Sequence, residues 1–465
     1  MAADTENRVE NKNLKEYVDF FNTLTKKAEF ADMRLESSSS QVIMKEGNKI
    51  RDNSALENEG FGIRILNKGV WYFSSGTSIT QEGIKKAIGS IDYKIKTRSN
   101  NLNLEPEINT QEVVPGWRVD TRNVPISEKI DVINQLYSAA KLKNIKTTII
   151  YYQDTVNHWV VCNNKGTLVS FYDSYPSIII ESFIKDSTSM QSIRKSINSN
   201  GGFELFDSDR VVNLGRSTSE EALKLINAKP VKGGKYDVVL DYSMTGVYSH
   251  EAFGHATEAD GVINKASILR DKIDKNVGPA IINITDDPTL SGLRGSYCVD
   301  QEGVKPKKRR LVENGVLKTY LNSLETASRL NAPFNGAARA MDFGSLPIPR
   351  MSNTFIEAGD FSDDIYEGIK EGIAFYGFNY GYTDPGSGKF MFKSQYGRRI
   401  VNGKLKEYVR DAALAGSTLD ILNRVDAIGK DIKFEGGSCG KMGQWVPVTS
   451  GGPNIRVRGV VVGGQ

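Results

Sequence analysis

Tyr248-Ser-His-Glu-Ala-Phe-Gly-His-Ala-Thr-Glu-Ala-Asp260 contains two of the chain's three histidines, His250 and His255, with Glu251 beside the first; the third is His158. Two imidazoles flanking a carboxylate are the ingredients of a metal centre, because neutral imidazole is a common metal ligand and the acid can serve as general base. The familiar arrangement is His-Glu-x-x-His, in which positions i and i+4 share one helical face. Here one further residue intervenes. An α-helix turns about 100° per residue, so i and i+4 lie roughly 40° apart, whereas i and i+5 lie about 140° apart. Both rings can reach one ion only if the winding is irregular. Gly254, just before His255, is the expected place for the irregularity, since a π-bulge absorbs one residue and glycine tolerates a kink.

A catalytic zinc commonly takes three protein ligands and leaves one position open. Cys439 is the strongest third candidate by its setting in Glu435-Gly-Gly-Ser-Cys-Gly-Lys-Met-Gly443, where flanking glycines allow another backbone to come close. Glu258 and Asp260 are local alternatives. No CxxC pair is present to build a closed four-ligand site, so an open, catalytic site fits better than a structural one. Spacing alone leaves a plain alternative standing: polar helix residues at His250 and His255, and Cys439 as a small buried filler.

The rest of the composition is ordinary. At 465 residues the chain has the length of about two to three domains. Its 39% apolar and 25% charged residues describe a globular protein. A net charge of +4 over so large a surface argues for no particular partner, nucleic acid included. No apolar run is long enough to cross a bilayer, and the first eight residues are polar with no signal-peptide core, so no membrane association and a cytoplasmic location are expected. Three scattered cysteines, Cys162, Cys298 and Cys439, fit a reducing compartment.

Periodicity predicts an α+β fold in two parts. Residues 1–228 read as a mixed α/β domain with an antiparallel sheet, and 229–465 as a β-rich domain carrying the irregular metal-binding helix. In the first part, apolar spacing predicts a helix over 13–27, and β-formers predict strands at 31–36, 41–45, 60–66 and 70–73. A helix from Pro125 to Leu142 follows, then strands at 147–152, 159–161 and 168–172. Ser217 and Glu220 have the spacing of a capping box ahead of a short helix at 222–226. Residues 229–235, Lys-Pro-Val-Lys-Gly-Gly-Lys, read as a linker or domain entry. Strands are then expected at 236–240, 280–284, 309–312, 317–321, 389–393 and 455–462, with hairpin turns at Asn314-Gly315 and Asn402-Gly403. The basic run Lys305-Pro-Lys-Lys-Arg-Arg310 reads as a solvated loop more than a nucleic-acid patch. His158, Cys162 and Cys298 read as structural. Arg350 and Asn353 fit either a cleft wall or the fixing of a proline-rich turn.

Several motifs in order resemble the TldD/PmbA family of candidate zinc metalloproteases, also called modulator-of-gyrase proteins. They are the HEAFGH run, Leu346-Pro-Ile-Pro-Arg-Met-Ser-Asn-Thr354 with Gly359-Asp360, Ser438-Cys-Gly-Lys-Met-Gly-Gln444, and the closing Pro453-Asn-Ile-Arg-Val457 with Val462-Gly-Gly464. Asp32 to Glu36 and Gly60-Phe-Gly-Ile-Arg64 resemble its first strands. Retention of His250, Glu251, His255 and Cys439 places the resemblance on the TldD side, since PmbA (TldE) members lack the histidine motif. The resemblance implies Zn2+ held by His250, His255 and Cys439, with Glu251 as catalytic base. It implies hydrolysis of unfolded or leader peptides bound in extended form, and a homodimer or a heterodimer with a PmbA/TldE-like subunit. The 372–392 region is expected to offer the peptide a strand edge. The alternative is a non-catalytic peptide-binding or scaffold subunit with a structural metal site.

Overall fold

One long hairpin organises the N-terminal half. Phe30–Glu46 and Lys49–Asn67 pair antiparallel from Phe30 opposite Leu66 to Glu46 opposite Lys49. The turn between them uses Gly47 at φ 55°, a conformation glycine adopts without steric cost. The computed structural model describes residues 14–91, 102–185, 190–361 and 364–463. The helix expected over 13–27 is present as Leu14–Thr25, while residue 13, the polar leader and Gly464 lie outside the described residues.

Thr147–Asn163 pairs with the free edge of Phe30–Glu46, and Val70–Gly76, Leu168–Ser174, Ser177–Lys185 and Met190–Asn198 extend an eight-stranded sheet. Its pairs are antiparallel except that of Thr110–Glu112 with Leu168–Ser174. Helices Ile126–Ala140 and Ser208–Leu223 cover one part of it, burying Val132, Ile133, Leu136, Val211 and Leu214 against Ile43, Ile150, Tyr152 and Ile178.

Three expectations change here. The strands expected at 31–36 and 41–45 are one, because the intervening serines keep backbone pairing on both sides, Ser37 opposite both Glu59 and His158. Ser38 Oγ also donates to Asn157 Oδ1 at 2.8 Å. The strands at 147–152 and 159–161 merge in the same way. The capping box at Ser217 and Glu220 is not one: these residues lie inside Ser208–Leu223, whose N-cap is Asp207, accepting from Arg210 N at 3.0 Å. That helix buries Gly215, Thr218, Ser219 and Ala222, a stripe too small and polar to register as hydrophobic periodicity.

The C-terminal half is β-rich. An eight-stranded sheet runs Glu371–Asp384, Gly234–Leu240, Ile455–Gly463, Ala413–Ser417, Lys389–Val401, Lys404–Arg410 and Lys229–Pro230, with Val425–Ile428 paired to Ile455–Gly463. A six-stranded sheet runs Val316–Leu317, Arg309–Glu313, Ile284–Asp286, Asn353–Ile356, Gln444–Gly452 and Lys433–Lys441. Val238, Leu240, Ile455 and Val457 of the first join Ile284, Ile356, Val446 and Val448 of the second in one apolar core. Tyr248 and Phe253 of the quoted segment, with Met244 just before it, lie in the same core, so the metal-motif helix is wedged among strands of both sheets.

The strand expected at 280–284 is only Ile284–Asp286, because Pro279 begins a turn closed by Ile282 N on its carbonyl at 2.9 Å. The one expected at 317–321 stops at Leu317, and Leu321 makes a single bridge to Glu258. Both Asn-Gly turns form, with φ of 49° and 77° at Asn314 and Gly315, and 48° and 73° at Asn402 and Gly403. Among the described residues, no helix is long and apolar enough to cross a membrane.

Candidate metal centre and peptide cleft

Asp241 caps the helix that carries the site, accepting from Met244 N at 2.9 Å. Tyr242–Val247 is α-helical, Tyr248–Phe253 widens to a π-helix, and Gly254–Thr257 tightens to a 3₁₀ turn. The wide turn supplies the missing rotation: the His250 and His255 rings face each other at 84°, centroids 5.4 Å apart. The irregular winding thus runs from Tyr248 to Thr257, with Gly254 at the junction of the wide and the tight turn. A Cβ at Gly254 would fall 2.1 Å from Met351 Sδ, so the glycine is there for close packing against the proline-rich segment.

Cys439 arrives from Lys433–Lys441, the edge strand of the six-stranded sheet, and its Sγ lies 3.3 Å from His255 Nε2. One ligand atom each from His250, His255 and Cys439 lie within 4.8 Å of one another. A tetrahedral ion bonded at about 2.0–2.3 Å would need its ligands roughly 3.5 Å apart, so little adjustment is required. The decisive test of fit is His250. It is buried, and neither ring nitrogen has a hydrogen-bond partner, an expensive condition for an imidazole unless an ion completes it. Imidazole and thiolate together suit zinc. Burial alone would raise the Cys439 thiol, but the His250 and His255 rings outweigh it and hold the thiol at about 5, which favours a thiolate.

Glu258 and Asp260, the alternative ligands, are engaged elsewhere. Glu258 Oε2 lies 2.9 Å from His255 Nδ1 and 3.0 Å from Lys441 Nζ, and Lys441 also reaches Asp260 Oδ1 at 2.7 Å. Burial raises the Glu258 carboxyl, yet Lys441 and His255 overcome this and hold it at about 2. Arg350 is fully buried and lines no cleft: its Nη2 donates to Cys439 O at 2.6 Å, tying the edge strand to the proline-rich segment. Asn353 is likewise buried, donating to Asp287 O and Ser296 Oγ. Of these supports, the sequence pointed to Arg350 as a brace of the proline-rich segment but not to Glu258 or Lys441. The only signal for these two was the His255-x-x-Glu258 spacing.

Glu251 is partly exposed, with Oε2 3.6 Å from His255 Nε2. With His250 it lines a cavity of about 400 Å³ between the halves of the molecule. Gln153, Ser177 and Asn198 face it from the N-terminal sheet, Phe378 from the eight-stranded C-terminal sheet, and Glu435, Gly437 and Ser438 from the six-stranded one. Glu371–Asp384 is paired on both sides only as far as Phe375; beyond Tyr376, among the described residues, one of its edges carries no strand. The Gly377 and Phe378 N–H groups donate to Asp241 and Ser243, so the expected edge at 372–392 narrows to residues past 378.

The remaining candidates are structural. His158 stacks on Tyr172 with centroids 4.3 Å apart and meets Ser170 Oγ at 2.9 Å. Cys162 is buried and Cys298 half-buried. The basic run is only partly solvated, because Arg309 is buried and paired with Asp286 at 2.9 Å, and Lys308 is paired with Glu357 at 3.0 Å.

Two imidazoles and a thiol, with a partly exposed carboxylate beside them in the wall of a cleft, form the class of site used by metal-dependent hydrolases. Residues 31–91, 120–226 and 233–464 match domain 1, the central domain and the C-terminal domain of PmbA/TldA metallopeptidases, and the chain belongs to that family. A metalloprotease of Methanothermobacter thermautotrophicus is 36% identical, the match covering 94% of this chain and 96% of that one. A zinc metalloprotease TldD homolog of Saccharolobus solfataricus is 28% identical over 94% and 97% of the two chains. The crystal structure of TldE from Thermococcus kodakarensis superposes with a TM-score of 0.75 at 17% identity, covering 97% and 99% of the chains, a likeness of fold.

Proposed function

We propose that this chain is a zinc-dependent peptidase of the cytoplasm that hydrolyses unfolded or leader peptides, with Glu251 as general base. The observation carrying this reading is the convergence of His250, His255 and Cys439 beside a partly exposed Glu251 at the cleft. Zinc held by these three side chains would supply Lewis acidity to water and to the scissile carbonyl. Glu251 takes the proton of the attacking water and passes it to the leaving amine. The Glu258 carboxylate on His255 Nδ1 fixes that ring so that Nε2 faces the site. An extended peptide would bind through main-chain hydrogen bonds to a strand edge, and Glu371–Asp384 offers one beyond Phe378, since the Gly377 and Phe378 N–H groups donate to Asp241 and Ser243. A homodimer, or a heterodimer with a PmbA/TldE-like chain, is the assembly proposed on the family relationship.

Metal analysis combined with hydrolysis of an unfolded peptide tests the reading, with and without a PmbA-like partner. About one zinc per active chain, with cleavage abolished by a chelator and restored by zinc, is expected. Tight zinc without cleavage under either condition would instead identify a scaffold subunit with a structural metal.

A further inference from the structure

Arg294 is a buried charge that its neighbours in the protein do not neutralise. The residue is 9% exposed, and Nη1 is buried with no hydrogen-bond partner. Nε donates to Gly437 O at 3.2 Å, and the guanidinium lies 5.5 Å from the centroid of the Tyr175 ring. The ionisable groups acting on it are Tyr175 and Arg339, the latter a like charge. Burying an uncompensated charge is costly, so a site of this kind is completed by something that binds.

Its position says what. Arg294 lines the cavity that contains His250 and Glu251 and also an adjoining one of about 320 Å³ walled by Trp159, Tyr175, Arg339 and Trp445. The carbonyl it holds, Gly437 O, is two residues from Cys439. A peptide lying in the cavity beside His250 and Glu251 therefore has this guanidinium in its wall. The acids in the same walls have other work: Glu435 accepts from Ser243 Oγ at 2.6 Å, Glu36 from Phe343 N at 2.7 Å, Asp300 from Ala338 N at 3.1 Å, and Asp342 from Ser345 Oγ at 2.7 Å. Asp173 lies with Arg339, whose charge acts on it.

We infer that Arg294 binds a carboxylate of the peptide substrate, either the C-terminal one or that of an Asp or Glu side chain, and so sets specificity for an anionic group near the cleaved bond. A guanidinium is suited to carboxylate by its planar fork of N–H donors. A main-chain carbonyl could satisfy Nη1 but would leave the charge uncompensated. This inference rests on the peptidase reading above and gives that reading a substrate class.

The test measures binding, separately from turnover. Full-length, zinc-loaded Glu251→Gln protein is titrated with fluorescein-labelled unstructured peptides in two matched pairs. One pair is a free C-terminal acid against its amide; the other is an amidated peptide with Glu, scanned along its length, against Gln. At least one pair should differ roughly tenfold or more in Kd, which also identifies the source of the carboxylate. Adding Arg294→Gln should bring that ratio to about one with zinc content unchanged, and Arg294→Lys, which keeps the charge without the fork, should retain part of it. Equal affinities within both pairs, a ratio that survives Arg294→Gln, or no binding of any peptide would overturn the inference. Should Arg294→Gln fail to fold, a ratio undiminished in Arg294→Lys would count against it equally. Discrimination in binding without hydrolysis by the Glu251 protein would sink the peptidase reading alone; hydrolysis without discrimination would sink the Arg294 assignment alone.

Discussion

Glu258 Oε2 stands 2.9 Å from His255 Nδ1, so the carboxylate three residues on decides which nitrogen of that ring faces Cys439. Such partners orient a ligating imidazole and raise its basicity, and their loss typically lowers metal affinity about 10–100-fold. Glu258→Gln is therefore expected to weaken zinc binding by about that factor in a chelator-competition titration. Glu258→Ala should add a loss of thermal stability, because Lys441 and the fully buried Arg350 both lie against this carboxylate. Unchanged zinc affinity in Glu258→Gln would remove its orienting role.

Glu251 is held more loosely than Glu258, with one 3.6 Å approach to His255 Nε2. It is partly exposed, faces the cavity, and is not needed to gather the ligand trio. Glu251→Gln should keep its zinc and its melting temperature while hydrolysis falls by about 10²–10⁴-fold. Loss of zinc in this variant would make Glu251 a ligand, and retained hydrolysis would move the general base elsewhere.

Gly246 lies where the site-bearing helix crosses the six-stranded sheet. A Cβ there would sit 2.7 Å from Gly451 N and 3.0 Å from Gly451 Cα, and backbone cannot rotate away as a side-chain tip can. Overpacking of this kind costs about 1–3 kcal/mol. Gly246→Ala should therefore lower stability to chemical denaturation by about that amount, despite alanine's better helix propensity. It should also weaken zinc binding, since the helix carries both histidines while Gln444–Gly452 pairs with the strand carrying Cys439. Wild-type stability in Gly246→Ala would show that the helix and sheet have slack.

The metal-motif helix was legible because a spacing of five residues is incompatible with a straight α-helix, and the backbone answers with a π-turn at Tyr248–Phe253. The hairpins at Asn314-Gly315 and Asn402-Gly403 were legible for the same local reason, a demand for positive φ. What escaped depends on partners remote in the chain. Residues 37–40 look like a break between strands until Lys49–Asn67 and Thr147–Asn163 pair with them on either side. The choice between Glu258 as ligand and as support rests on Lys441, which lies 183 positions along the chain. Arg294 has no local pattern at all; only the cleft makes its unpaired N–H conspicuous.

Glu36 gives a pH dependence whose sign is opposite to that of an ion-paired carboxylate. Burial pushes its carboxyl from an ordinary 4.5 up to about 8, even though the Phe343 N–H favours the charged form. An acid raised on folding contributes stability that is complete below its unfolded value and is lost as pH rises through its folded one. The fold is thus weakened progressively between about pH 4.5 and 8 at the seam where the Glu36 strand meets the 341–346 loop. Glu36→Gln keeps an acceptor for Phe343 N but cannot ionise. Its melting temperature should exceed that of the wild type by a margin that grows from pH 5 to pH 8, by about 3 °C or more. Asp300 and Asp241 are also raised, to about 8 and 7, but they do not act on Glu36 and cancel in the difference; Asp173, raised to about 6, does act on Glu36, and its ionisation adds to the growth of the margin. A margin constant across that range would mean that Glu36 reaches water or a counter-charge when it ionises.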